Sequence, residues 1–181
     1  LKYPLHRTAI RTLLISGNYE HKEMYNETTG STTSDKNIST IGTKFTFTNI
    51  DKIFLGGYMQ STISFSSGEL DLSGDQSDLS SDQGTSGAKT DGSFSKSNIQ
   101  FLRIQRIAEP LDLHILASAQ LANKNLDSSE KFTLGGVGGV RAYPSGEASG
   151  DEGRKVSFDL KYKPGGSIIN LFEDMQLSLF Y

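Results

Sequence analysis

The sequence predicts an all-β chain, an antiparallel transmembrane β-barrel fragment of about seven strands cut from a larger barrel. Three observations carry that expectation. Several segments alternate apolar and polar residues with a period of two, the side-chain period of a strand. The connections between them alternate between tight turns and long loops. No segment shows a helical repeat over a helix-length window, and no stretch approaches about 18 consecutive apolar residues, so no membrane-crossing helix is encoded. A barrel strand needs only about 9–11 residues to cross a bilayer and hides its hydrophobicity in alternation.

Taken in order, the strands are expected at Ala9–Met24, Asn37–Asn49, Ile53–Phe65, Phe94–Ile107, Leu111–Asn123, Arg154–Lys163 and Met175–Tyr181. In the second, Phe45 and Phe47 share a face; in the third, Gly56-Gly57 interrupts the pattern. The fifth is clear: Leu111, Leu113, Ile115, Ala117, Ala119 and Leu121 lie on one face, with Asp112, His114, Ser118 and Gln120 on the other. In the sixth, Val156, Phe158, Leu160 and Tyr162 oppose Lys155, Ser157, Asp159, Lys161 and Lys163. In the seventh, Met175, Leu177, Leu179 and Tyr181 oppose Gln176, Ser178 and Phe180. Each of these three segments therefore has one oily and one wet surface.

The connections run long at Met24–Lys36, tight at Ile50–Lys52, very long at Ser66–Ser93, tight at Ala108–Pro110, very long at Lys124–Gly153 and intermediate at Pro164–Asp174. Short turns at one end of the strands and long loops at the other are the pattern of an outer-membrane barrel. A soluble sandwich has no reason to sort loop length by side. The chain starts at Leu1 without a leader and stops inside an apparent strand, so residues 1–181 are expected to be a partial barrel, truncated at both ends.

Composition narrows the function. Net charge is -3 and there is no basic stripe, which leaves nucleic-acid binding without support. Cysteine is absent, which removes disulfides, thiolate zinc sites and thiol catalysis. His6, His21 and His114 are scattered without metal spacing, and no G-x-S-x-G elbow occurs. No enzyme, cofactor or metal is expected. The Ser/Gly/Asp-rich loop Ser66–Ser93 sets Glu69, Asp71, Asp75, Asp78, Asp82 and Asp91 against Lys89 alone. It is expected to be a solvated external loop, because it offers little apolar surface to offset its ordering entropy. Its acidic spacing does not match an EF-hand.

The most informative stretch is the loop Lys124–Gly153. Gly135, Gly136, Gly138 and Gly139 precede Val140-Arg141-Ala142-Tyr143, and Gly150 and Gly153 follow. No helix or Gly-Lys-Ser/Thr follows these glycines, so they are expected to serve as hinges and no nucleotide is expected. Arg141 on such a loop either pairs at the surface with Asp151 or Glu152, or enters a confined polar lumen where its guanidinium needs a carboxylate. The pore lining is expected from the polar faces: Asp112, His114, Gln120, Lys155, Asp159 and Lys161.

At these residues the chain resembles the haemolysin secretion/activation proteins, the outer-membrane transporters of two-partner secretion. The resemblance rests on the run Leu121–Phe132, on Leu134-Gly135-Gly136, on Val140-Arg141-Ala142-Tyr143-Pro144 with Gly146-Glu147, on Gly150–Gly153, and on Tyr3-Pro4-Leu5 and Gln105-Arg106. It implies a sixteen-stranded barrel of the bacterial outer membrane, preceded by periplasmic polypeptide-transport-associated domains. It implies a loop folded into the barrel, with Arg141 paired to the aspartate of a Phe-x-Asp motif on an inner-wall strand. Phe180 matches the start of that motif, and the aspartate would follow Tyr181. Ala142 departs from the commoner glycine of the signature, so its backbone is expected to avoid positive φ. The implied partner is a large unfolded exoprotein of haemolysin or adhesin type, with outer-membrane lipid around the barrel and no nucleotide or nucleic acid. The alternatives are an insertase-type barrel that assembles other membrane proteins and a soluble or surface β-domain that binds ligands.

Overall fold

The computed structural model describes residues 1–28, 31–135, 148–162 and 177–180. The strands are β1 (Lys2–Arg7), β2 (Arg11–Thr28), β3 (Ser31–Asp51), β4 (Gly57–Asp71), β5 (Gly92–Ala108), β6 (Leu111–Ala122), β7 (Phe132–Thr133), β8 (Ser149–Gly150), β9 (Gly153–Tyr162) and β10 (Leu177–Phe180), with one short helix, α1 (Gln76–Gln83). Eight of them form one sheet in the order β1-β2-β3-β4-β5-β6-β9-β10, and β7 pairs with β8 as a separate ribbon. Every pairing in the large sheet is antiparallel, and each strand pairs with the next sheet strand along the chain. That is the up-and-down order of a membrane barrel wall.

The expected strands all have counterparts, with shifted ends. β2 and β3 continue to Thr28 and from Ser31, so the stretch from Met24 to Lys36 is the outer part of a long hairpin, not a loop. Its ladder still pairs Met24 with Lys36 and Tyr25 with Asp35. β1 adds an eighth strand. Pro4 and a bulge between Pro4 and His6 break its alternation, and it lies at the edge of the sheet, where proline is tolerated. β4 begins at Gly57 because the preceding residues form the turn. The Asp51 carboxylate accepts from the Ile53 N–H at 3.1 Å, and Gly56 has φ +99°, a conformation that favours glycine.

The acidic connection between β4 and β5 is more ordered than a solvated loop. Asp75 caps α1 by accepting from the Ser77 and Asp78 N–H groups. Asp82 accepts from the N–H groups of Thr90 and Asp91 and from the Thr90 hydroxyl. Leu72 is buried and Leu79 packs against the same cluster. The carboxylates close local turns, so order here rests on side-chain-to-backbone hydrogen bonds and not on apolar burial alone.

The ladder keeps the two faces apart. Leu113 pairs with Leu160, Ile115 with Phe158 and Ala117 with Val156; Asp112 pairs with Lys161, His114 with Asp159 and Ser118 with Lys155. The apolar face stays uncovered, with Ile41 at 66% and Val156 at 54% exposure. The buried apolar side chains among the described residues are Ile38, Leu70, Leu72, Phe94 and Leu126. Ile38, Leu70 and Phe94 belong to the opposite, mainly polar face, towards the long-loop end of the strands. The stabilising cluster is therefore on the wet side of the sheet, and the oily side is left to its surroundings.

The oily stripe crosses the ladder obliquely. On β9 it runs from Val156 to Tyr162, and on β3 from Ile41 to Phe47. Val156 is in register with Ala117, Ala117 with Phe101, Phe101 with Ser61, and Ser61 with Phe47. The stripe thus shifts by six residues, about 20 Å at roughly 3.4 Å each, over four strand spacings of about 4.8 Å, or roughly 19 Å. That offset corresponds to a strand tilt of about 45°, in the range of transmembrane barrels.

Candidate functional site

The long loop between β6 and β9 begins by turning back onto the polar face. Asp127 caps the 3-10 turn Ser128–Glu130 by accepting from the Ser129 N–H at 2.9 Å. This turn presents two carboxylates to the wall. Glu130 receives Lys22 of β2 at 2.7 Å and Lys96 of β5 at 2.8 Å. Asp127 receives Lys36 of β3 at 2.6 Å. Burial is the largest influence and disfavours the charge of both acids, but the lysine contacts, joined at Asp127 by hydrogen bonds from Ser129, together outweigh it and hold both below the usual carboxylate range. Leu126, 1% exposed, enters the apolar cluster beside Ile38, Leu70 and Phe94.

The outgoing and returning arms meet at a neck. Phe132 pairs with Gly150 and Thr133 with Ser149, and Lys131 lies 3.2 Å from Asp151. The Asp151 carboxylate accepts from the Leu126 N–H at 2.8 Å. Gln120 of β6 donates to the Glu130 carbonyl at 3.1 Å and to the Asp151 carbonyl at 2.9 Å. Gly153 has no room for a side chain, since a Cβ there would lie 2.4 Å from Phe132 Cδ1. Lys155 Nζ sits 5.7 Å from the Phe132 ring centroid, over its face. Both arms are thus fixed to the face that carries the polar residues of β2, β3, β5 and β6.

The model of the family described as "Haemolysin secretion/activation protein ShlB/FhaC/HecB" matches residues 1–180. The chain belongs to this family. It is 34% identical over 93 residues to the heme/hemopexin transporter protein HuxB of Haemophilus influenzae, covering 49% of this chain and 16% of HuxB. The HuxB of H. influenzae strain 86-028NP gives 33% over the same length. The fold superposes on CdiB from Escherichia coli with a TM-score of 0.73 and 21% identity, over 90% of this chain and 29% of CdiB. The chain therefore spans less than a third of CdiB and about a sixth of HuxB. It is a wall segment of an outer-membrane β-barrel of the two-partner secretion type. The fold and the family match are those of an outer-membrane barrel and not of a soluble β-domain.

Within that wall of the haemolysin secretion/activation family, Asp112, His114, Lys155, Asp159 and Lys161 all lie on the polar face by register. Asp112 also approaches Arg106 at 3.5 Å. Asp159 and Gln120 are buried on that face; Gln120 lies beneath the loop, where it ties down both arms. Gly135 lies at the bend after β7. Gly150 and Gly153 sit at the neck; Gly153 serves close approach to Phe132, a different use of glycine from a hinge. Asp151, one surface partner considered for Arg141, is taken up by Lys131 and the Leu126 N–H. Phe180 pairs in register with Asp159. Val140, Arg141, Ala142, Tyr143, Gly136, Gly138 and Gly139 lie outside the described residues.

Sequence reasoning did not find the clasp of Lys22, Lys36, Lys96, Asp127 and Glu130. Its members are scattered along the chain, and the run Asp127-Ser128-Ser129-Glu130-Lys131 has the composition of a surface loop. The usable signal was Leu126, an aliphatic residue with no strand to belong to, followed by an N-capping aspartate.

Proposed function

We propose that the full-length protein is an outer-membrane channel that translocates a large unfolded exoprotein, of haemolysin or adhesin type, to the cell surface. The oily stripe would face outer-membrane lipid and the polar face would line the path. The observation that carries this is the docking of Leu126–Lys131 and the β7–β8 neck on the polar face, opposite the exposed stripe. A loop rooted there belongs to the interior of a closed barrel. Arg141, at the far part of that loop, is the anchor in this proposal, and its partner is a carboxylate on the inner wall near the strand that carries Phe180. The lining would include Asp112, His114, Lys155, Asp159 and Lys161. Interspersed charges of both signs give a passing chain weak, repeated contacts and no deep binding site. HuxB is described as a heme/hemopexin transporter; the cargo proposed here is a secreted polypeptide.

The test is export in a host strain. Deleting the full-length gene should trap the cognate exoprotein inside the cell, and the wild-type gene should restore its release. Arg141→Ala should restore little, because breaking a buried ion pair costs about 3–5 kcal/mol. Normal release from the deletion strain would refute the channel. Normal release by Arg141→Ala at normal abundance would refute the anchor.

A further inference from the structure

Glu130 addresses strands that do not touch each other. Its carboxylate receives Lys22 from β2 and Lys96 from β5, two strands separated by β3 and β4. Its carbonyl receives Lys96 at 3.0 Å and Gln120 of β6 at 3.1 Å. Only a segment lying across one face of the sheet can make these contacts together. Glu130 is 5% exposed, so its charge depends on the two ammonium groups that meet it. Leu126, four residues earlier, contributes to the apolar cluster in which Ile38, Leu70, Leu72 and Phe94 are buried.

Lifting this short segment would have two consequences at once. The apolar cluster would open to water, and it contains all the buried aliphatic and aromatic side chains among the described residues. Lys22, Lys36 and Lys96 would lose their carboxylates Glu130 and Asp127. Lys22 would keep Glu20, 3.5 Å away and half exposed, in place of the buried Glu130. A loop that swung out as a whole would therefore have to dismantle the best-packed part of the wall.

We propose that Glu130 is the positioning residue of the loop, acting through Lys22 and Lys96, and that Leu126–Lys131 stays docked on the wall while polypeptide passes. This rests on the channel reading above. On this view the base of the loop is a permanent strut of the barrel, and it sets where the rest of the loop enters the lumen.

The experiment uses the full-length protein in its membrane, with its exoprotein. Lys36→Cys and Asp127→Cys are joined by a short cleavable thiol-to-thiol cross-linker; the chain contributes no other cysteine. Export should continue at the rate of the uncross-linked double variant. A block that is relieved on cleaving the linker would overturn the proposal. In parallel, Glu130→Gln should lower export by about tenfold or more, with the barrel still heat-modifiable. Glu130→Lys combined with Lys22→Glu and Lys96→Glu should recover most of it. Parental export by Glu130→Gln would overturn the positioning role. If Glu130→Gln fails to assemble, the cross-linked protein, which keeps Glu130, still decides. Failure of the unsubstituted protein to export its partner would count against the channel and not against the strut.

Discussion

Val156 on β9 and Phe47 on β3 occupy one ladder row, yet Val156 marks the long-loop end of its oily stripe and Phe47 the short-turn end of the other. Strands perpendicular to the membrane would place residues of one row at one depth. A tilt of about 45° separates these two by roughly 14 Å along the membrane normal. Spin labels on Val156→Cys and Phe47→Cys in the full-length protein should therefore report opposite leaflets in lipid-depth measurements. Equal depths would show that the stripe is not the lipid boundary.

Adjacent residues on one strand should respond oppositely to charge. Phe45 lies in the oily stripe of β3 and pairs with Ile63, whereas Thr46 pairs with Thr62 on the other face. Phe45→Arg should destabilise the assembled barrel by about 2–4 kcal/mol, the usual scale for arginine facing mid-bilayer lipid. Thr46→Arg should be milder. Heat-modifiable mobility after membrane extraction distinguishes them, and equal losses would contradict the facing.

The apolar cluster should be sensitive to a cavity at the loop base. Leu126→Ala removes a side chain that is almost fully buried, and such truncations cost about 2–5 kcal/mol. The expected outcome is faster proteolysis near Lys131 with the strand ladder retained. Unchanged proteolysis would mean that Leu126 does not hold the loop.

The clasp should be acid-labile. Burial raises the proton affinity of Glu130 and Asp127, the lysine contacts and, at Asp127, Ser129 lower it, and the lowering wins; the Glu130 carboxylate faces Lys22, with Glu20 beside it, and Lys96, while Asp127 faces Lys36 and its own Ser129. A carboxylate lowered on folding contributes stability that is fully present above its unfolded value, about 4, and lost as pH falls through the folded value. Amide exchange of residues 124–131, corrected for intrinsic rate, should be flat from neutral pH to about 5 and should accelerate below about 4. Acceleration already near pH 6 would contradict this assignment.

Much of this wall was legible in the residues. β6 and β9 alternate cleanly because each has one apolar and one polar face, so the period of two survives in the sequence. The outer half of the β2–β3 hairpin was hidden because it is mostly polar on both faces and shows no alternation, although its backbone ladder continues. β1 was hidden by Pro4 and its bulge. The helix α1 had a local signal in Asp75 and Asp78, but it is too short to show a repeat. The clasp was invisible for another reason. Lys22, Lys96 and Glu130 become neighbours only after β2 to β5 are laid side by side, and no spacing along the chain encodes that.

Site-specific photo-crosslinking in cells exporting the partner examines the two faces and the path together. A probe at Lys161, on the polar face, should capture exoprotein in transit, whereas the same probe at Leu160, one residue earlier and on the oily face, should capture none. Equal capture at both positions, or capture at Leu160 alone, would contradict the account.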